Sequence, residues 1–199
     1  MSRFQPDDPT AGAAVASPSH TRPADRTRDL VTAALMVSLL TISAWISIPL
    51  GSVPVTLQVF VVVLTALLLS PGWAAATLGL YLVMGAAGLP VFSHGQGGLG
   101  VLVGPTGGYL IGFFLGALLG SALRYVLSDR GASSLVADVA ATVVCVISIY
   151  LLGWMQLSVV TNMAPAAAFL VGVVPFIVPD VIKGTVAIGV ADVIRRARS

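Results

Sequence analysis

The stretch VFVVVLTALLL, residues 59–69, decides the fold because it is apolar without any alternation. A strand of a membrane barrel alternates apolar and polar residues along its length. In lipid, every backbone polar group needs a partner within the chain, so an unbroken apolar run is expected to be a helix. Other long apolar runs lie before and after this stretch. The sequence therefore predicts helices rather than a barrel.

The composition of the 199-residue chain places these helices in a membrane. Hydrophobic residues make up 57% of the chain and charged residues only 9%, whereas a soluble domain carries about 25% charged residues. A helix that crosses a bilayer needs about 20 residues. We therefore predict an all-α integral membrane protein with six transmembrane helices and a Gly/Pro-rich outer-face loop region. The predicted helices are residues 30–48, 55–69, 73–87, 108–127, 135–159 and 179–194.

The positions of the arginines predict the topology. Arginines lie before the first predicted helix, between the fourth and the fifth, and after the last. Short basic flanks stay in the cytoplasm, so both termini are expected there, with the protein in the cytoplasmic (inner) membrane. Residues 1–29 are polar and aperiodic and are predicted to be a disordered cytoplasmic tail. Residues 30–199 are predicted to form the six-helix membrane domain.

The same topology places three irregular connections, residues 48–54, 88–107 and 160–178, on the outer side. Irregular backbone at membrane depth is tolerated where it lines a cavity. We therefore expect function at an outward-facing cavity. Because the basic residues flank membrane segments, they indicate topology rather than binding of nucleic acid.

The stretch VPDVIKGTV, residues 178–186, contains Lys183, the only lysine of the chain, and Asp180 three positions before it. On a helix the two side chains share a face. One interpretation is an ion pair that only stabilises the start of the helix. The other is a polar wall in a ligand pocket, since ionisable residues within a membrane are functional by default. A lysine would meet a carboxylate, and an aspartate would accept from N–H donors.

The loop FSHGQGGLGVLVGPTGGY, residues 92–109, resembles a phosphate cradle but lacks the GK[ST] ending of a P-loop. It is either a flexible outer loop or a loop whose glycines allow backbone to approach a ligand. Its polar members are His94, Gln96 and Tyr109. Glycines at every fourth position form a separate pattern that predicts close helix packing. They are Gly104, Gly108, Gly112, Gly116 and Gly120.

Residues suited to catalysis are scarce. The chain has no glutamate, one cysteine (Cys145), and two distant histidines, His20 and His94. No nucleophile elbow or metal-ligand spacing occurs. We therefore expect no enzyme, no cofactor and no metal.

Three stretches together resemble the BioY family, the biotin-binding S components of energy-coupling factor (ECF) vitamin transporters. They are ISIPLGSVPVTLQVF, GLPVFSHGQGGLGVLVGPTGGYLIGF and VVPFIVPDVIKG. The resemblance covers about residues 29–194 and implies biotin uptake from the outer side. It also implies a transmembrane coupling protein and two ABC-type ATPases as partners, or a homo-oligomer that acts without them. Ala34 and Ser38 match the family's pair of small residues at the coupling-protein interface, with serine replacing the second alanine.

The resemblance also implies a set of biotin-binding residues. Asp180 is expected to accept a ureido N–H, and Lys183 to meet a biotin carboxylate or carbonyl oxygen. Further expected members of the site, including its apolar walls, are Gln58, His94, Gly97, Gly98, Tyr109, Val91, Phe92 and Trp154. Gln58 is equally consistent with a contact between helices. An alternative function is a solitary proton-coupled small-molecule transporter in which Asp180 titrates.

Overall fold

The computed structural model of the chain describes residues 23–48 and 53–197. The described part is helical apart from two short strands and the connecting loops. The helices are α1 Pro23–Trp45, α2 Gln58–Leu68, α3 Pro71–Ala86, α4 Leu99–Val103, α5 Gly107–Asp129, α6 Ser134–Thr161, α7 Pro165–Gly172 and α8 Val174–Arg196. The strands β1 Ser47–Ile48 and β2 Val55–Thr56 pair antiparallel, and Ser93–Gly95 forms a 3-10 turn.

Helix α2 lies at the centre of the bundle, against α1, α5, α6 and α8. Every residue from Val61 to Leu67 is buried, including Thr65. Thr65 satisfies its hydroxyl within the helix by donating to the Val61 carbonyl oxygen at 2.8 Å. A helix that is apolar on all sides belongs in the interior. The stretch that predicted a helical protein is therefore its core rather than a lipid-facing surface.

Helices α5 and α6 pack closely along the predicted glycine stripe. A Cβ on Gly112 would lie 2.7 Å from the Ile149 Cα, and one on Gly108 would lie 2.2 Å from the Leu152 carbonyl oxygen. Gly116 and Gly120 likewise face the α6 backbone. Only glycine allows the two backbones to approach so closely. The prediction of close packing is confirmed for Gly108 to Gly120, whereas Gly104 follows α4 and faces the backbone of that helix.

Four helical segments in the described part are long and apolar enough to cross a membrane. They are Arg26–Trp45, Gly107–Asp129, Ser134–Thr161 and the segment Pro165–Arg196 that joins α7 and α8. At 1.5 Å per residue, α2 is about 16 Å long and α3 about 24 Å, both less than a hydrocarbon core of about 30 Å. The protein is therefore a helical multi-pass membrane protein, while the count of six spans stays a prediction.

The ends of several elements differ from the predicted ones. Helix α1 begins at Pro23 rather than at residue 30, because proline is compatible with a first helical turn. It ends at Trp45, and β1 and β2 occupy residues that were assigned to the first two helices. The predicted disordered tail therefore overlaps α1, and its residues 1–22 lie outside the described part of the chain.

The two longer connections also contain helices that the sequence analysis did not predict. Residues 88–107 include α4, and residues 160–178 include α7 and the start of α8. Helix α8 begins at Val174, so Pro179 lies inside it rather than at its start. Proline is tolerated in membrane helices because neighbouring groups satisfy the freed carbonyl. These short elements all lie at the end of the bundle where α1, α3 and α6 finish.

Candidate functional site

A cavity of about 220 Å³ lies at this end of the bundle, between α2, α5, α6 and α8 and beneath the loop after α3. Aromatic and aliphatic side chains form much of its wall, among them Val59, Phe92, Phe113 and Phe176. Polar groups enter the wall from several elements. Six of the predicted site residues are among the lining residues, namely Gln58, Phe92, His94, Tyr109, Asp180 and Lys183. A mostly apolar cavity with a few convergent polar groups is typical of small-molecule sites.

Asp180 and Lys183 form an ion pair at the wall of this cavity. The Lys183 Nζ donates to Asp180 Oδ1 at 2.7 Å, and the side chains are 11% and 2% exposed, respectively. The Tyr150 hydroxyl of α6 donates to the other carboxylate oxygen, Oδ2, at 2.8 Å. The two interpretations of the pair are thus compatible, since the charges bind each other and also border a hollow. An ammonium has three donors, so Lys183 retains donors beyond the one that Asp180 accepts.

Gln58 enters the cavity at the start of α2 and is held by a hydrogen-bond network. Its Oε1 accepts from the Thr56 hydroxyl at 3.1 Å, and its Nε2 donates to the Tyr81 hydroxyl at 2.6 Å. Tyr81 in turn donates to the Val91 carbonyl oxygen at 2.8 Å. These bonds fix which way the amide points and connect α2, α3 and the loop after α3. The second N–H of the amide makes no bond in this network and can therefore donate to a ligand.

Tyr109 contributes its ring rather than its hydroxyl to the site. The hydroxyl donates to the Gly172 carbonyl oxygen at 2.7 Å, which joins α5 to the end of α7. The ring packs against Gly153, where a Cβ would lie 2.3 Å from the ring carbons. The hydroxyl proton is therefore already used in a hydrogen bond within the protein. Tyr109 can offer a ligand an aromatic surface.

His94 lies at the mouth of the cavity in the 3-10 turn and is exposed. Its φ is 58°, a left-handed conformation that is uncommon for residues other than glycine. The imidazole Nε2 is 3.4 Å from the hydroxyl oxygen of Ser47 in β1, and Nδ1 is 3.1 Å from that of Ser93. The indole of Trp45 donates to the Pro90 carbonyl oxygen at 3.3 Å. The end of α1 and the loop after α3 are thus joined beside the cavity opening.

Gly97 and Gly98 do not line the cavity. A Cβ on Gly97 would lie 2.4 Å from the Leu89 carbonyl oxygen, so this glycine permits the loop to fold back on itself. Gly98 has a φ of 96°, and its N–H donates to the Gly85 carbonyl oxygen at 2.6 Å. In this structure both glycines shape the loop that covers the site.

Of the three predicted wall residues, only Phe92 lines the cavity. Val91 is buried in the core. The Trp154 indole donates to the Pro165 carbonyl oxygen at 2.8 Å, and its ring meets Phe169 edge-on. Trp154 therefore joins α6 to α7 rather than bordering the cavity.

Two polar residues that hold predicted members of the site in place were not themselves predicted. Tyr150 holds Asp180 from α6, and Thr56 holds Gln58 from β2. Tyr150 stands in the apolar run of α6, where the hydroxyl on its ring was the available signal of a polar neighbour. Thr56 lies two residues before Gln58, a spacing at which a hydroxyl can cap the next helix.

Comparison with known proteins places these observations in a family. The model of the BioY family matches residues 14–199 of the chain. A protein of Thermotoga maritima named biotin transporter BioY is 43% identical over 160 residues, which cover 80% of this chain and 91% of that protein. A protein of Pyrococcus horikoshii named probable biotin transporter BioY is 37% identical over 171 residues, which cover 84% and 96%.

The fold is also similar to a solved structure. The crystal structure of the S-component for biotin from an ECF-type ABC transporter superposes with a TM-score of 0.82. The match covers 88% of this chain and 95% of that one at 24% identity, which establishes a common fold. The family match spans the whole described structure and includes every residue of the cavity. The chain belongs to the BioY family.

Proposed function

We propose that this protein takes up biotin across the cytoplasmic membrane as the substrate-binding S component of an ECF-type vitamin transporter. The observation that carries the proposal is the ion pair of Asp180 and Lys183 at the wall of a partly open, largely apolar cavity. The relatives in its family are named as biotin transporters. A largely apolar cavity that is lined by one aspartate, one lysine and two glutamines suits a compact molecule with several polar groups.

Biotin has chemistry that matches these groups. Its bicycle is apolar, its ureido group has two N–H donors and one carbonyl acceptor, and its valerate chain ends in a carboxylate. Asp180 would accept a ureido N–H, since each carboxylate oxygen has a second lone pair beyond the bond that it accepts in this structure. Lys183 would use a remaining donor on a biotin oxygen. Gln58, oriented by Tyr81, would donate its spare amide N–H.

The loop after α3 would close the cavity over the ligand. It bears His94 at the opening, and Gly97 and Gly98 provide the backbone conformations on which its shape depends. Loops that close over a substrate commonly gate transport and catalysis. The ring of Tyr109 in α5 and the ring of Phe92 in the loop after α3 would then both contact the bicycle.

The proposed transport step requires a partner that reorients the loaded protein. We assign this role to a transmembrane coupling protein with two ABC-type ATPases. Ala34 and Ser38 are both exposed on α1, and the Ser38 hydroxyl donates to the Ala34 carbonyl oxygen at 3.0 Å, which leaves a smooth small-residue surface. Small residues of this kind permit close approach of a second helix. Both termini would be cytoplasmic, as the arginine positions predict.

The alternative of a solitary proton-coupled transporter is not favoured. It depends on Asp180 as the titrating group of a lone acid–base pair in the membrane, but in the structure Asp180 accepts from Tyr150 as well as from Lys183, so the pair is not alone. Uptake of labelled biotin by cells that lack their own uptake system separates the two functions. Uptake that requires ATP and a coupling module supports an S component. Uptake by the chain alone that a protonophore abolishes and ATP depletion does not would support the alternative, and ATP-independent uptake insensitive to protonophore would indicate a homo-oligomer that acts without a module.

A further inference from the structure

A second hollow of about 330 Å³ lies between α6 and α8. Its lining is almost entirely apolar and includes Val143, Val146 and Ile147 of α6 and Val181 and Ile188 of α8. On α6 it extends from Val139 to Tyr150, which is about 16 Å of helix. This length is about half of a hydrocarbon core of about 30 Å. The hollow, which we name the α6–α8 groove, therefore has the depth of one leaflet.

A basic cluster lies at the end of the α6–α8 groove that is farther from the ligand cavity. Arg124 Nε donates to Asp138 Oδ1 at 2.8 Å, and Arg195 donates to both carboxylate oxygens of the same aspartate. Asp138 is 1% exposed, whereas Arg124 and Arg195 retain 23% and 25% exposure. Among the residues that the structure describes, Asp138 is the one carboxylate within ion-pair distance of these two arginines. The cluster therefore has one positive charge in excess.

The cluster is continuous with the groove on both helices. Asp138 directly precedes Val139 on α6, and Arg195 follows Ile188 by seven residues on α8. Seven residues are close to two helical turns, so Arg195 and Ile188 share a face of α8. The groove thus begins at a basic end near the membrane surface and extends from there into the bilayer.

The lining contains one polar atom whose hydrogen bonding is incomplete. The hydroxyl oxygen of Thr142 is shielded from solvent and has no hydrogen-bond partner in the described structure. Other threonines of the chain donate to the carbonyl oxygen four residues earlier, as Thr65 does. A buried polar group without a partner is unfavourable. Thr142 lies one turn beyond Asp138, about 6 Å deeper in the bilayer, which places this unpaired hydroxyl between the basic cluster and the apolar part of the groove.

We propose that the α6–α8 groove and its basic cluster bind one anionic phospholipid of the leaflet on the arginine-rich side. The acyl chain fills the groove, and the phosphate meets Arg124 and Arg195. Basic sites between transmembrane helices on the cytoplasmic side select anionic head groups. The lipid lies next to the ligand cavity, because Tyr150 and Asp180 line both hollows.

Native mass spectrometry of the detergent-purified full chain tests this proposal. The probes are phosphatidylglycerol and phosphatidylcholine with identical acyl chains, and glycerol phosphate as a head group without chains. We expect one bound phosphatidylglycerol, held at least about fivefold more tightly than phosphatidylcholine, since one arginine near an anionic head group contributes about 1 kcal/mol. Glycerol phosphate alone should not bind measurably.

A matched pair of variants separates the groove from the rest of the lipid-facing surface. Val181→Phe fills the groove, whereas Val186→Phe places the same ring on an exposed part of α8 that does not line it. Val181→Phe should weaken phosphatidylglycerol binding about tenfold, since it removes the space for the acyl chain, and Val186→Phe should leave it unchanged. Arg195→Gln should abolish the preference for phosphatidylglycerol. If Arg195→Gln does not fold, the proposal is tested by comparing phosphatidylglycerol binding of Val181→Phe with that of Val186→Phe.

Several results would overturn the proposal. Equal binding of the two lipids would show that the basic cluster does not recognise the head group. Equal effects of the two phenylalanine variants would show that the acyl chain does not bind in the groove. Tight binding of glycerol phosphate would indicate a site for a free anion. A dimer that Val181→Phe dissociates without any change in bound lipid would assign the groove to a second copy of the chain.

Discussion

Tyr150 of α6 donates a hydrogen bond of 2.8 Å to Asp180 of α8 across the boundary between two hollows. Both residues line the ligand cavity on one side and the α6–α8 groove on the other. Because Lys183 occupies the second carboxylate oxygen, the carboxylate is held from two helices. Its orientation at the cavity wall therefore depends on Tyr150 as much as on its own helix.

Tyr150→Phe should weaken biotin binding about tenfold in Kd, or about 1.4 kcal/mol. The variant removes a hydrogen bond to a charged group, and such bonds contribute about 1.5–3 kcal/mol. Isothermal titration of the purified variant with biotin measures the change. Tyr125→Phe is the control, because Tyr125 is exposed on α5 and lines neither hollow. Wild-type affinity in Tyr150→Phe would show that the tyrosine does not orient Asp180 for the ligand.

Tyr81→Phe should lower both the stability of the protein and its affinity for biotin. The variant leaves the Val91 carbonyl oxygen without its donor and releases the amide of Gln58. A buried polar group without a partner costs about 1–3 kcal/mol, which thermal unfolding in detergent detects. A loss of stability with unchanged affinity would show that the network only stabilises the fold and that Gln58 does not bind biotin.

The sequence predicted the shared face of the charged pair and the helical conformation of residues 59–69, since both depend on local patterns. Asp180 and Lys183 stand three residues apart in an apolar run, so their shared face follows from helix geometry alone. Tyr150 reaches Asp180 from thirty positions away. A contact of this kind depends on which helices pack together, and no spacing within one segment reveals it.

Gly112→Ala should destabilise the bundle, because the new Cβ would lie 2.7 Å from the Ile149 Cα. Overpacking of a close interface costs about 1–3 kcal/mol. Gly189→Ala is the matched control, since it adds the same methyl to a glycine of α8 with nothing within 4 Å. Thermal unfolding should separate the two variants. Equal midpoints would mean that α5 and α6 are not in the close contact described.

Asp138→Asn should destabilise the protein by about 3 kcal/mol, since removal of one partner leaves the other charges of a buried cluster uncompensated. Arg124 and Arg195 join α5 and α8 to α6 through this aspartate. Asp192→Asn is the control, because its ion pair with Arg196 is largely exposed and such pairs contribute about 0–1 kcal/mol. Equal unfolding midpoints for the two variants would exclude a structural role for the cluster.

The cluster around Asp138 also shows what the sequence analysis overlooked. Asp138 is the only charged residue in the predicted helix at residues 135–159, and an isolated acid in an apolar run is a signal of a partner. The identity of the partners could not be read from the sequence, because Arg124 and Arg195 lie on two other helices. The ends of α1 and α8 were placed wrongly for a different reason. The aperiodic composition of residues 1–29 gives no signal of a helix start at Pro23, and Pro179 resembles a helix boundary although α8 accommodates it.

The most direct test of the account is calorimetric titration of biotin into the wild-type protein and into Asp180→Asn and Lys183→Ala. We predict exothermic binding by the wild type, and a loss of about 1.5–3 kcal/mol of binding free energy in each variant. Val178→Ala, on an exposed part of the same helix, should bind as the wild type does. Wild-type affinity in both charge variants, or no heat and no thermal stabilisation of the wild type by biotin, would contradict the account.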